Sequence, residues 1–237
     1  MTETLTPIPE DWDRAVAIAA HPDDLEYGAA AAFARWTDQG REVSYVMVTS
    51  GEAGIDGLAP DTAKRLREEE ERRAARVVGV THVEFLGHAD GAVEYGLALR
   101  RDLATAIRRL RPDVLVTMNF ELTWGDGSIV NHADHRAVGL AALDAVRDAA
   151  NRWMFADLGE PWQRLKAVYL LGMSPSTHYV DVGGTFERGV ASLREHRAYL
   201  EGLGGTMDPD AFLRGFARST GEAVGCDLAV AFRRFNV

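Results

Sequence analysis

Apolar and polar positions along the 237-residue chain follow two alternating rhythms. Compact apolar runs at 16–20, 43–49, 83–86 and 114–118 each end in a polar turn, and each turn leads into apolar residues at helical spacing. Runs of this length bounded by turn residues predict buried strands, and the longer period predicts amphipathic helices. The helices are expected over 27–39 closing at Gly40, from Asp61 or Thr62 as caps to 78, over 97–110 ahead of Pro112, and from the histidine-rich segment at 131–136 to about 149. Further on, strands are predicted at 167–171 and 179–182, helices at 186–203 and 209–226 with a break at Gly221, and a strand or helix at 228–232. Residues 1–13, interrupted by Pro7 and Pro9, read as an arm, and 119–131 as a long irregular loop. Strands alternating with helices predict an α/β fold, a mostly parallel sheet with helices on both faces. Its sites belong at the C-terminal ends of the strands.

Composition narrows the function classes. The formal charge is −10, with no basic stripe to neutralise phosphates, which argues against a nucleic-acid partner. A lone Cys226 excludes an intramolecular disulfide and a cysteine zinc knot, and its helical, apolar context predicts a buried, inert thiol. No apolar run is long enough to span a bilayer, and the start, MTETLTPIPEDWDR, lacks a basic region followed by an apolar one. The expectation is one domain over 1–237, cytoplasmic, with a small-molecule substrate. A homo-oligomer is compatible with the sequence.

The chemistry concentrates at the end of the first apolar run, AVAIAAHPDDLEYG, residues 15–28. Pro22 cannot extend a ladder and biases His21 away from helix, so the strand should stop there. His21, Asp23, Asp24 and Glu26 then fall within six residues, an imidazole and carboxylate set suited to Zn²⁺ or a similar cation. Aspartates after a strand also cap helices and complement their dipoles, so the stretch alone leaves both readings open. A second half-site lies at 131–136, Asn-His-Ala-Asp-His-Arg, where His132 and His135 share the start of a helix and Asp134 can orient one imidazole.

With both half-sites in hand, the sequence resembles the LmbE-like/PIG-L family of metal-dependent N-deacetylases, which includes N-acetylglucosaminyl-phosphatidylinositol, mycothiol-pathway and bacillithiol-pathway deacetylases. The resemblance rests on AHPDDLE at 20–26, TSGEAG at 49–54, Arg67 with Glu70 and Ala74 ahead of Val78-Gly79, LGHADG at 86–91 and HADH at 132–135. It implies a Rossmann-like fold. It also implies that His21, Asp24 and His135 bind the metal, Zn²⁺ with Fe²⁺ also compatible, and that Asp23 is the general base. His132, paired with Asp134, would steady the oxyanion and protonate the amine, while Arg67 and Asp90 would recognise the sugar. Glu26 is expected behind the ligands or at a helix cap, and His82, His88 and His178 at the surface or in loops.

Two departures stand out. Ala133 and Asn131 replace a proline and a glycine usual around the second motif, and His196-Arg197-Ala198-Tyr199 keeps only the histidine of a C-terminal His-x-Ser-Gln. His196 is the reserve candidate for the acid. The leading function is hydrolysis of an N-acyl group, most simply acetyl, from an amino sugar or its conjugate. A non-catalytic metal- or sugar-binding domain and a metal phosphoesterase are the alternatives. A dinucleotide-binding enzyme is rejected, because HPDD stands where G-x-G-x-x-G is required.

Overall fold

The structure, a computed structural model, describes residues 5–124 and 127–237. In chain order the elements are β1 (Thr6–Pro7), β2 (Arg14–Ala19), α1 (Ala30–Asp38), β3 (Glu42–Met47), α2 (Pro60–Val77), β4 (His82–Phe85), α3 (Leu97–Leu110) and β5 (Val114–Met118). They continue through β6 (Thr123–Trp124), β7 (Ile129–Val130), α4 (Ala133–Ala150), β8 (Ala167–Leu171), β9 (His178–Asp181), α5 (Phe186–Leu193), α6 (Arg197–Gly202), α7 (Pro209–Val224) and β10 (Ala229–Asn236).

Eight strands form one sheet in the order β1-β9-β10-β8-β5-β2-β3-β4. β2 pairs in parallel with both β3 and β5, so the chain winds outward to β4 on one side and returns to the other side at β5. That reversal opens a crevice beyond the C-terminal ends of β2 and β5, the place where α/β sheets bind ligands. β10 alone runs antiparallel, between β8 and β9. The sheet core needs side chains buried on both faces, which explains why β2 reads as an unbroken apolar run. α1, α2 and α5 cover one face, α3 and α4 the other. Phe33 and Trp36 on α1 are fully buried, Phe33 meeting Tyr45 of β3 edge-on at 5.2 Å and Trp36 meeting Trp12 at 5.1 Å.

Several expectations are corrected. The N-terminal arm is tied down: β1 pairs with β9, Ile8 N–H donates to Tyr179 O, and Ile8 and Trp12 are buried. Pro7 is tolerated because β1 is an edge strand. α1 starts at Ala30, three residues late, because 21–29 form turns around Asp23. α2 begins with Pro60 in its first turn after Ala59, and neither Asp61 nor Thr62 caps it. The segment predicted as one helix over 186–203 is two, α5 and α6, separated at Arg194, Glu195 and His196. α7 runs through Gly221, and 229–236 is a strand. The loop at 119–131 contains the β6/β7 hairpin, with Gly125 and Asp126 outside the described residues. Cys226 is half-buried just beyond α7, not inside a helix.

Candidate active site

Residues 21–24 leave β2 by a tight turn in which Asp23 takes a φ of +94°. Few non-glycine residues adopt such a backbone, aspartate and asparagine more readily than most. The turn is held by its own side chains and by a neighbour: His21 N–H donates to Asp24 Oδ2 at 2.7 Å, and Asp23 N–H donates to Glu71 Oε2 at 3.1 Å. From the other strand of the crevice, the chain leaves β5 and returns through β7 to His132, the N-cap of α4, whose Nδ1 accepts the Asp134 N–H at 3.3 Å. His135 follows one residue later, half-buried.

These two turns bring His21, Asp24 and His135 together. His21 Nδ1 lies 3.2 Å from His135 Nε2 and 3.5 Å from Asp24 Oδ2, and His135 Nε2 lies 3.0 Å from Asp24 Oδ1. Ligands ~2.1 Å from a tetrahedral cation stand about 3.4 Å from one another, so the three side chains have the spacing of groups that share an ion. Their outer partners also suit one. Asn131 Oδ1 is 3.1 Å from His135 Nδ1, and His21 Nε2 meets Asp134 Oδ2 and Asp90 Oδ1, each at 3.1 Å. Burial opposes protonation of His21, yet the carboxylates of Asp134, Asp24 and Asp90 together push it up to about 12. The same negative excess is what a divalent cation would balance.

Asp134 is fully buried at the start of α4, and its carboxylate accepts from Gly91 N–H at 2.7 Å and Val93 N–H at 3.1 Å as well as facing His21. The expected pairing of Asp134 with His132 is therefore corrected: the carboxylate orients His21, and only its backbone N–H reaches His132. His132 accordingly titrates below ordinary imidazole, through burial and the His21 and His135 rings beside it.

Asp23 is buried next to Asp24. Burial raises its carboxyl to about 6, against the pull of Arg67 and with the push of Asp24. Asp24 moves the other way, well below the usual carboxylate range, because His135 and His21 outweigh its burial. Arg67 is not an exposed member of a charged helix face. It is buried, and its guanidinium donates to Asp23 Oδ2 at 3.0 Å, Pro22 O at 2.6 Å and Gly51 O at 2.9 Å. Gly51, at φ +64°, is required there, since a Cβ would stand 2.2 Å from Arg67 Nη1. Tyr199 of α6 lies against the guanidinium, 4.2 Å from ring centroid to carbon. Asp90 likewise serves the chain, its Oδ2 accepting Ala53 N–H at 2.8 Å while Oδ1 faces His21. Both side chains nevertheless line the same cavity of about 410 Å³, together with His21, Asp23, Asp24, His132, His135 and Tyr199.

Behind Asp23 lies a second, sealed cluster. Glu26, Glu71 and His196 are fully buried, with His196 Nε2 3.5 Å from Glu71 Oε2 and 3.7 Å from Glu26 Oε2. Burial lifts Glu26 to about 8 and Glu71 well above its ordinary value. Glu26 caps no helix, and Ser192 Oγ donates to it at 3.3 Å. His196 lines no part of the 410 Å³ cavity, so it is not placed to act as the reserve acid. His82, His88 and His178 also stay outside; His88 pairs with Asp102 at 3.0 Å. Sequence reasoning passed over Asn131, Trp124, Tyr199 and Glu71. Only Asn131 and Tyr199 carried a signal, as departures beside recognisable motifs.

The family pattern described as PIG-L, GlcNAc-PI de-N-acetylase, matches residues 16–146, which contain every residue of the first cluster. The chain belongs to the PIG-L family. Among curated relatives, the diacetylchitobiose deacetylase of Thermococcus kodakarensis is 28% identical over 232 residues, 94% of this chain and 83% of that protein. A 1D-myo-inositol 2-acetamido-2-deoxy-alpha-D-glucopyranoside deacetylase of Saccharopolyspora erythraea is 33% identical over 65% of this chain and 63% of its own length. The solved N,N'-diacetylchitobiose deacetylase from Pyrococcus horikoshii superposes with a TM-score of 0.84, 26% identity, over 96% of this chain and 85% of that one. PIG-L relatives are amide-bond hydrolases, and the α/β fold of this chain is theirs. Among the described residues, no helix is long and apolar enough to cross a membrane.

Proposed function

We propose that the protein is a metal-dependent deacetylase that removes an N-acetyl group from an amino sugar or its conjugate. The observation that carries this reading is the convergence of His21 Nδ1, Asp24 and His135 Nε2 beside a buried carboxylate, Asp23, in one cavity. His21, Asp24 and His135 would hold the cation, Zn²⁺ being well suited to two imidazoles and a carboxylate. A cation there supplies Lewis acidity, lowering the pKa of a water and polarising the amide carbonyl.

The chain's own groups do the rest. Asp23, with a carboxyl near 6, is ionised at neutral pH and basic enough to accept the proton of the attacking water. Arg67 locks its orientation through the 3.0 Å contact to Oδ2. His132 stands on the opposite rim, its ring edge-on to His21 at 4.9 Å between centroids. Exposed at that rim, His132 would take a proton from solvent as the oxyanion develops and pass it to the leaving amine, while Asp23 returns the proton it accepted to solvent. Asp90 and Tyr199 at the cavity wall offer partners to sugar hydroxyls. The relatives named for acetamido-sugar deacetylation support the amino-sugar class of substrate.

The test is product release from the metal-loaded protein. Acetate should appear from N-acetylglucosaminides and no phosphate from phosphomonoesters. Phosphate without acetate would replace this reading with that of a phosphoesterase.

A further inference from the structure

A second cavity, about 600 Å³, lies beside the first and was not anticipated from the sequence. The two share Tyr27, Gly28, Trp124, Leu171 and Gly172, so they adjoin along one wall. Its character is different. Phe186, Leu213, Val230 and Leu171 line it, and Phe212 and Phe216 of α7 stand at its side, 39% and 64% exposed. Phe212 meets Tyr27 edge-on at 5.6 Å and Phe216 at 5.1 Å, which ties the aromatic side to the shared wall. Among the described residues the one carboxylate in its lining, Glu26, is turned toward Ser192 and His196. Ala30 and Ala31 of α1 and Gly189 of α5 form part of the wall, where Gly189 lets α5 pack closely on α1, since a Cβ there would stand 2.9 Å from Ala31. At the junction Trp124 leans on Gly172, where a Cβ would stand 2.4 Å from the indole.

We infer that this cavity binds an apolar extension of the amino-sugar substrate, an alkyl or aryl group carried either as aglycone or as N-acyl chain, while the sugar amide occupies the metal-ligand cavity. The inference rests on the deacetylase reading for the sugar and on the groove's own walls for the extension. A concave apolar volume of this size is of the order that buries a small ligand, and exposed phenylalanines gain most from an apolar occupant. Adjacency to the reactive cavity selects the occupant: a group covalently joined to the sugar is held next to the groove, with only the wall of Tyr27, Gly28, Trp124, Leu171 and Gly172 between the two.

The experiment compares two substrate series with the metal-loaded full chain. One is methyl, butyl and octyl N-acetylglucosaminide; the other is N-acetyl-, N-butanoyl- and N-octanoylglucosamine. At least one series should climb, on the order of four-fold in kcat/KM per methylene until the groove is filled. The series that climbs identifies which end of the substrate the groove takes. Thr220→Trp, on α7 and lining only the groove, should cut the octyl gain about ten-fold or more and leave the methyl glycoside within about two-fold. Calorimetric titration with octyl glucoside, which has no amide, reads the groove without turnover: the wild type should bind it, methyl glucoside should not, and Thr220→Trp with unchanged Tm should lose it. Flat series with no octyl glucoside binding overturn the inference, and a dimer by ultracentrifugation would then assign the groove to a second copy of the chain. Absence of acetate release from the methyl glycoside, with octyl glucoside still bound, would instead remove the deacetylase reading and leave the groove standing.

Discussion

Two clusters of the same chemistry flank Asp23, and only one of them lines the polar cavity; the other borders the apolar groove through Glu26 alone, whose carboxylate is turned inward. His21, Asp24 and His135 meet at 3.0–3.5 Å in a space that a substrate can enter. Glu26, Glu71 and His196 meet at 3.5–3.7 Å with no exposure at all. In the open cluster, opposite charges answer one another and Asp24 stays ionised. In the sealed cluster burial dominates and both glutamates are driven toward the neutral acid. Histidine and carboxylate in proximity therefore do not by themselves mark a reactive centre; access and the balance of charge do.

Replacing a ligand should break the comparison most severely. Asp24→Ala or His135→Ala should strip the cation and lower turnover on the order of 10³-fold or more, because two remaining bonds hold it poorly. Metal content by atomic emission checks this, and stoichiometric tightly held metal in His135→Ala would count against the assignment. Asp23→Asn should keep metal and lower kcat about 10²- to 10⁴-fold. Asparagine is the informative replacement, since it tolerates the +94° φ that alanine would strain. Loss of metal together with activity would mean that the two aspartates share the ligand role.

Asn131→Ala should act more gently, weakening metal affinity about 10- to 100-fold by freeing the His135 ring. Competition against a chelator of known affinity measures it. In the sealed cluster, Glu26→Gln should change turnover by no more than about three-fold and show itself in stability instead. Glu26 is raised to about 8 in the folded chain, so the native state binds the extra proton between the unfolded value near 4.5 and 8. Its contribution is present in full below 4.5 and is lost as pH rises through 8. Urea unfolding of the chelator-treated protein from pH 5 to 8 should thus show a shallower fall for Glu26→Gln than for the wild type. Equal slopes would mean that Glu26 is already ionised in the fold.

What could be read from the sequence was what is local along it. β2 announces itself as an apolar run, and His21, Asp23 and Asp24 follow it directly; His132 and His135 share one helix start. Partners that depend on tertiary approach stayed hidden. Asp134 stands next to His132 in the chain, and nothing local says that its carboxylate turns to His21 on a different strand end. Glu71 sits in the run EEEERR, where solvated glutamates and a buried one look alike, and α2's rotation against α5 decides which is which. The break at His196 was equally invisible, since apolar spacing continues across it while a buried imidazole and two carboxylates end the helix pattern. The β1 pairing was missed because two residues carry no periodicity.

The insertion of β10 between β8 and β9 has a bearing on the order of assembly. β4, β3, β2 and β5 pair with one another within residues 14–118 and lead into both turns of the metal-ligand cluster, so a folding chain can form them before its C-terminal strands are in place. β9 and β1, by contrast, have no place in the sheet until residues 229–236 arrive to bridge them to β8. Until then the edge of β8 is an unpaired template, open to the wrong strand. A ligand-competent centre can thus precede a closed sheet, and the slow, aggregation-exposed interval of folding falls on the half of the molecule that walls the apolar groove.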